Sequence, residues 1–132
     1  MLERLGVPAF KIPSGELTNL PFLRHAAATR KPLIVSTGMA TVAEVACAVD
    51  AIHEAGCDQL ILLHCVSNYP ADPAEANLNA IRSLQQAFNV PTGFSDHTDG
   101  DTVGLAAVAV GASMLEKHLT LDRSLPGPDH RA

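Results

Sequence analysis

The 132-residue sequence predicts an α/β fold of about five parallel strands joined by crossover helices. Three observations lead there. Five short runs rich in Val, Ile, Leu and Phe recur along the chain, each closed by small or polar residues. Helical stretches with an apolar period fall between them. Strand starts lie roughly two to three dozen residues apart, a spacing that suits helical crossovers and not hairpins. An open doubly wound sheet and a closed eight-stranded barrel of about 250 residues share this alternation. With about five strands, a barrel would be incomplete.

In chain order, the strand runs are Ala9 to Ser14, Pro32 to Thr37, Gln59 to Cys65, Pro91 to His97 and Ala112 to Thr120. Their continuous apolar character predicts strands buried on both faces. The helices are expected over Leu20 to Thr29, Thr41 to Ala55, Pro73 to Phe88 and Asp101 to Val110. Thr41 followed three residues later by Glu44 is a capping-box pattern ahead of Val42, Val45, Val49 and Ile52, and Gly56 is a C-terminal stop. Gly111 does the same for the last helix. No long linker or low-complexity tract interrupts residues 1–132, which read as one domain or part of one.

Composition narrows the function. The chain is 47% apolar and 17% charged, so it can bury a core. A formal charge of −5, with Lys and Arg scattered along the chain, leaves no basic field for nucleic acid. No apolar run approaches the roughly 18 residues of a membrane span. The N-terminus Met1 to Gly6 lacks the layout of a signal peptide, so a cytoplasmic protein is expected. Cys47, Cys57 and Cys65 are odd in number and lie in apolar segments, as suits reduced thiols. None has the spacing of a zinc site.

Polar residues gather after each strand: Lys11, Ser14 and Glu16; Ser36 and Thr37; His64, Ser67 and Tyr69; Ser95, Asp96 and His97; Glu116, Lys117 and His118. In parallel βα architectures the carboxyl ends of the strands build the active site, so this one-sided enrichment argues for an enzyme. Successive strand residues face opposite sides. His97 therefore shares a face with Ser95, and His118 with Glu116, while Asp96 and Lys117 turn the other way. Strands about 4.8 Å apart would let the two imidazoles meet on one divalent ion, with Asp96 or Glu116 in support. An isolated His is more often hydrogen-bonded structure than a ligand, and spacing alone leaves both readings open. His64 is equally ambiguous; His25 and His53 fall on helices, where solvent exposure is expected. Lys11, Ser14, Ser36, Thr37 and Ser95, with Gly15 and Gly38, either form a rim that could cradle phosphate or carboxylate or are ordinary turns, the reading that the residues alone slightly favour. Neither GxxxxGK[ST] nor GxGxxG is present. The Pro- and Gly-rich tail from Leu121 to His130 either folds over the strand ends or is an unstructured extension.

Six strings in order resemble the sialic acid synthase family. They are Lys11-Ile12-Pro13-Ser14-Gly15-Glu16-Leu17-Thr18-Asn19, Ser36-Thr37-Gly38-Met39, Leu63-His64-Cys65 with Tyr69-Pro70, Phe94-Ser95-Asp96-His97-Thr98, Glu116-Lys117-His118 with Thr120, and Pro126-Gly127-Pro128-Asp129. The resemblance implies a partial (β/α)8 TIM barrel, the C-terminal half of a synthase catalytic domain. It implies condensation of phosphoenolpyruvate with an acetamido sugar resembling N-acetylmannosamine, giving a nonulosonic acid and phosphate. It implies that His97 and His118 hold Mn²⁺ or Mg²⁺, that Lys11, Ser14, Ser36 and Ser95 bind phosphoenolpyruvate, and that Glu16, Tyr69 and Asp129 lie near the sugar. Glu16 is the proton shuttle in this reading, so Glu16, His97 and His118 are its catalytic residues. Ser67 falls where some members have Asn. The family's first barrel strands and its antifreeze-like domain have no counterpart here, so a homodimer, or association with the rest of a barrel, is expected, and the isolated chain is expected to be inactive and poorly soluble. A metal-dependent hydrolase using His64, His97 and His118, or a non-catalytic half-barrel, are the competing readings.

Overall fold

A computed structural model describes residues 2–132; Met1, part of the N-terminal reading above, lies outside the described residues. The chain falls into two compact units, one ending at Leu62 and the other running from Leu63 to Ala132.

The first unit begins with a 3-10 turn, Leu2–Leu5, followed by β1 (Phe10–Ile12), a second 3-10 turn at Ser14–Glu16, α1 (Leu20–Ala27), β2 (Leu33–Ser36) and α2 (Val42–Glu54). β1 and β2 pair in parallel, with Lys11 opposite Ile34. α1 starts where the Asn19 side chain accepts a hydrogen bond from Phe22 N, and it buries Leu23, Ala26 and Ala27. α2 has the expected capping box: Thr41 accepts from Glu44 N while Glu44 accepts from Thr41 N. Its buried stripe is Val45, Ala48, Val49 and Ile52, and Gly56, at φ +86°, turns the chain out of it. α1 stops at Ala27, two residues short of the expected end. Arg30 adopts φ +58°, a left-handed conformation that no helix continues through.

β3 (Leu60–Cys65) crosses the division between the units. After it, the second unit contains a 3-10 turn at Pro73–Glu75, α3 (Asn79–Phe88), β4 (Thr92–Asp96), α4 (Thr102–Ala109), β5 (Leu115–Lys117) and a last 3-10 turn at Pro128–His130. β4 and β5 are parallel, pairing Phe94 with Leu115, Ser95 with Glu116 and Asp96 with Lys117. Phe94 packs with Ala76, Ile81 and Ala107 into the core of this unit.

Three sequence expectations are corrected here. The helix expected over Pro73 to Phe88 is a 3-10 turn and a separate α-helix, because Asn77 sits at φ +40° between them. The strand expected over Ala112 to Thr120 shrinks to Leu115–Lys117. Burial on both faces holds for β4, where every residue is buried, but fails for β1, where Lys11 is exposed, and for β5, whose three residues are exposed or half-buried. Among the described residues β5 pairs with β4, and apolar content alone does not supply a partner for its other side. No helix among the described residues is long and apolar enough to cross a membrane.

Candidate active site

The ends of β4 and β5 sort their side chains by alternation. On one face, Ser95 Oγ donates to Glu116 Oε1 at 2.7 Å and lies 3.2 Å from His97 Nε2. His97 Nδ1 is 2.6 Å from the carbonyl of Val66. A carbonyl only accepts, so this contact places the ring proton on Nδ1 and leaves Nε2 with its lone pair. Burial pushes the His97 imidazole below its usual range, against the Val66 carbonyl, which favours the charged form, and with nearby His118, which disfavours it. The neutral ring is thus the form at pH 7.

His118 completes the cluster. Its ring centroid is 5.4 Å from that of His97, edge to face. Its Nδ1 lies 3.2 Å from the carbonyl of Asp129 and 3.5 Å from the Asp129 carboxylate, which places a ring proton on Nδ1 and turns Nε2 away from these acceptors. Tyr69 stacks on His97 at 4.1 Å between centroids and tilts toward His118 at 5.3 Å. Burial pushes the Tyr69 phenol up, helped by Cys65, Asp129 and Glu116. The tail that carries Asp129 is ordered by contacts of its own. Thr120 Oγ1 meets His130 Nδ1 at 2.6 Å, and Arg123 pairs with Asp99 at 2.6 Å. The tail is therefore folded onto the end of β5 and is not an unstructured extension.

With His97 neutral and protonated on Nδ1, its Nε2 keeps a lone pair beside the Ser95 hydroxyl. Two imidazoles this close are a donor set that suits a divalent cation. Among the described residues no trio of His, Cys, Asp or Glu is placed to hold a metal ion, so these two imidazoles stand as a pair. His64 does not join them. Its Nε2 is 2.8 Å from the carbonyl of Ala76 and its ring packs on Phe94, which removes the three-histidine centre that a hydrolase would need.

The other expected residues belong to the first unit. Ser14 Oγ accepts from Gly38 N at 3.0 Å, which ties the end of β1 to the end of β2. Ser36 Oγ is buried and has no hydrogen-bond partner among the described residues. Lys11 Nζ is 3.3 Å from the carbonyl of Ile12. Glu16 accepts from the Asn19 amide at 2.8 Å. His25 and His53 are exposed on their helices, as expected.

The profile of the NeuB family matches residues 1–132. The chain belongs to the NeuB family. Among NeuB relatives, it is 51% identical to the N,N′-diacetyllegionaminic acid synthase of Legionella pneumophila over 135 residues, which covers 99% of this chain and 38% of that protein. It is 48% identical to the synthase of the same name from Campylobacter jejuni, over all of this chain and 40% of that one. A crystal structure of the N-acetylneuraminic acid synthetase of Leptospira borgpetersenii, in complex with citrate, superposes with a TM-score of 0.93 at 41% identity, covering 98% of this chain and 45% of that one. This NeuB chain thus spans about two fifths of the length of these relatives. The fold class expected from the sequence, an α/β partial barrel, stands.

The sequence assigned no role to Glu116 beyond support, yet it is the direct partner of Ser95. Its position two residues before His118 was the available signal. The stack of Tyr69 on His97 and the Val66 carbonyl had no signal in the sequence, since both depend on how the segment after β3 returns to β4.

Proposed function

We propose that this chain is the part of a NeuB-type synthase that carries its metal-binding and sugar-facing residues. The reaction is condensation of phosphoenolpyruvate with an N-acetylmannosamine-like acetamido sugar: C3 of phosphoenolpyruvate joins the sugar aldehyde carbon, water adds at C2, and the C–O bond to phosphate breaks. The observation that supports this reading most is the pair of imidazoles at the strand ends, His97 and His118, with ring centroids 5.4 Å apart and the Ser95 hydroxyl beside His97 Nε2. The NeuB relatives, an N,N′-diacetyllegionaminic acid synthase and an N-acetylneuraminic acid synthetase, are in keeping with it.

A bound Mn²⁺ or Mg²⁺ supplies Lewis acidity for the aldehyde oxygen, and His97 Nε2 and His118 Nε2 are the nitrogens that would hold it. The carbonyls of Val66 and Asp129 fix the tautomers that expose those nitrogens. Glu116 holds the Ser95 hydroxyl, and Tyr69 covers the imidazoles with an aromatic face on which an acetamido methyl can rest. Lys11, Ser14, Ser36 and Ser95 take the phosphate and carboxylate of phosphoenolpyruvate in this reading. The buried, unpartnered hydroxyl of Ser36 favours it, since such a donor is costly until an acceptor arrives. Glu16 moves the proton of the sugar hydroxyl or water, and Asp129 binds the sugar. Association with a second copy or with the rest of a barrel belongs to the same reading, supported by the exposed Leu105 and Val108 on α4 and Leu115 on β5.

Calorimetric titration of the purified chain with Mn²⁺, then with phosphoenolpyruvate, tests the proposal. His97→Ala, His118→Ala together should abolish Mn²⁺ binding, while Ser36→Ala should weaken phosphoenolpyruvate and spare Mn²⁺. Mn²⁺ binding that survives the double substitution would remove the metal site, and with it this mechanism.

A further inference from the structure

The opposite face of β4 and β5 carries a second polar set that the chemistry above does not use. Asp96 is buried, at 1% exposure, between Ser95 and His97. Its Oδ1 accepts from Thr98 N at 2.9 Å and from Thr98 Oγ1 at 2.7 Å. Its Oδ2 lies 3.3 Å from Lys117 Nζ, an ion-pair distance without hydrogen-bond geometry. The same Nζ donates to the Thr98 carbonyl at 2.8 Å. Lys117 is the ladder partner of Asp96 and immediately precedes His118. A Cβ at Gly104 of α4 would stand 3.3 Å from Asp96 Oδ2, so the helix packs closely over the carboxylate at this glycine.

A buried ion pair is a weak source of stability, because desolvation offsets most of the attraction and an apolar pair of similar size often does as well. What charged, hydrogen-bonded groups supply and apolar ones do not is a fixed geometry. Thr98 is gripped on its N–H, hydroxyl and carbonyl at once, and His97 is the residue between it and Asp96. The same lysine ties that grip to the residue before His118.

We propose that Asp96, Thr98 and Lys117 form a clamp on the reverse face that holds the ends of β4 and β5 in one register and so sets the separation of His97 and His118. They are positioning residues. The proposal rests on the reading that the two imidazoles share a cation, and it extends that reading to groups that touch neither the cation nor a substrate.

The test uses the full chain and the variants Lys117→Met, Lys117→Arg and Asp96→Asn. Free Mn²⁺ is followed by electron paramagnetic resonance, the nuclear Overhauser effect between the ring protons of His97 and His118 by NMR, and the folded fraction by circular dichroism. Lys117→Met and Asp96→Asn should lower Mn²⁺ affinity 10-fold or more and weaken the ring-to-ring signal at temperatures where they remain folded. Lys117→Arg, which keeps charge and donor, should recover most of both. Wild-type affinity and an unchanged ring-to-ring signal in folded Lys117→Met would overturn the clamp and leave the metal reading standing. If the wild-type chain does not take up Mn²⁺, the metal reading falls, and the clamp is judged on the ring-to-ring signal alone. Should Lys117→Met not fold, Asp96→Asn, which keeps the shape and the Thr98 acceptor, decides in the same way.

Discussion

Gly93 of β4 sits where a methyl group has no room. A Cβ built there would lie 2.4 Å from the Met114 carbonyl oxygen, 2.8 Å from Leu63 Cδ2 and 2.9 Å from Met114 Cβ. Leu63 Cδ2 can rotate away, but the carbonyl is backbone. It accepts from Phe94 N at 2.9 Å, next after the Ser113 N to Thr92 carbonyl bond in the ladder between β4 and the segment leading into β5. Bringing the 2.4 Å contact to ordinary van der Waals distance displaces that backbone by about 1 Å. Overpacking of this kind costs about 1–3 kcal/mol, and the strained Phe94 to Met114 hydrogen bond adds about 1 kcal/mol. Gly93→Ala should therefore destabilise the chain by about 3 kcal/mol, read as a shift of the urea midpoint at unchanged slope. Gly15→Ala is the control: nothing lies within 4 Å of its Cβ position, and its φ is not in the left-handed range, so its midpoint should stay put. Because the displaced segment leads directly to Glu116 and His118, Gly93→Ala should also weaken Mn²⁺ binding while folded. A midpoint equal to that of Gly15→Ala would refute the steric argument, since it would mean that β5 yields freely.

Two further predictions concern pH and capping. Burial holds the His64 imidazole below its usual 6.5, with the Ala76 carbonyl opposing, and burial acts on His97 in the same direction. The unfolded chain therefore binds protons first: stability is fully present above about pH 6.5, falls as pH drops below that value, and levels off below the lowered folded pKa. Urea midpoints between pH 7.5 and 5 should show this decline, and His64→Gln, which keeps a donor for the Ala76 carbonyl, should flatten part of it; an equally steep decline would exclude His64 as a source. Thr41→Ala should cost about 1 kcal/mol by removing the side-chain cap of α2, with Thr41→Ser restoring it in the same denaturation assay.

Alternation made the grouping of the strand-end side chains legible in the sequence. Ser95 with His97, Glu116 with His118, and Asp96 with Lys117 each follow from the period of two, and the register of β4 on β5 brings each set together. The capping box at Thr41 and Glu44 was equally plain, because it is a local contact between residues three apart. What escaped were features decided at a distance or by single backbone angles. Nothing in Pro73 to Phe88 announces that Asn77 will turn left-handed and divide the segment. Nothing in Tyr69 announces that its ring will lie on His97, because that contact depends on the whole excursion between β3 and α3. Apolar composition likewise described the interior of β4 correctly and β5 wrongly, since burial of a strand face is a property of its neighbours and not of its own residues.

The two faces of these strand ends differ in how their polar groups are engaged. On the reverse face the Thr98 N–H and hydroxyl donate to Asp96 Oδ1 and the Lys117 ammonium donates to the Thr98 carbonyl, while Asp96 Oδ2 faces that ammonium at 3.3 Å as an ion pair without a hydrogen bond. Groups interlocked in this way serve to fix position. On the forward face the Ser95 hydroxyl donates to Glu116, and the His97 and His118 rings stand edge to face. In the proposed reading the interlocked face holds those rings at the separation that a shared cation needs. The same two strands thus carry a fixing network on one side and the paired imidazoles on the other, and only the alternation of consecutive residues separates the two.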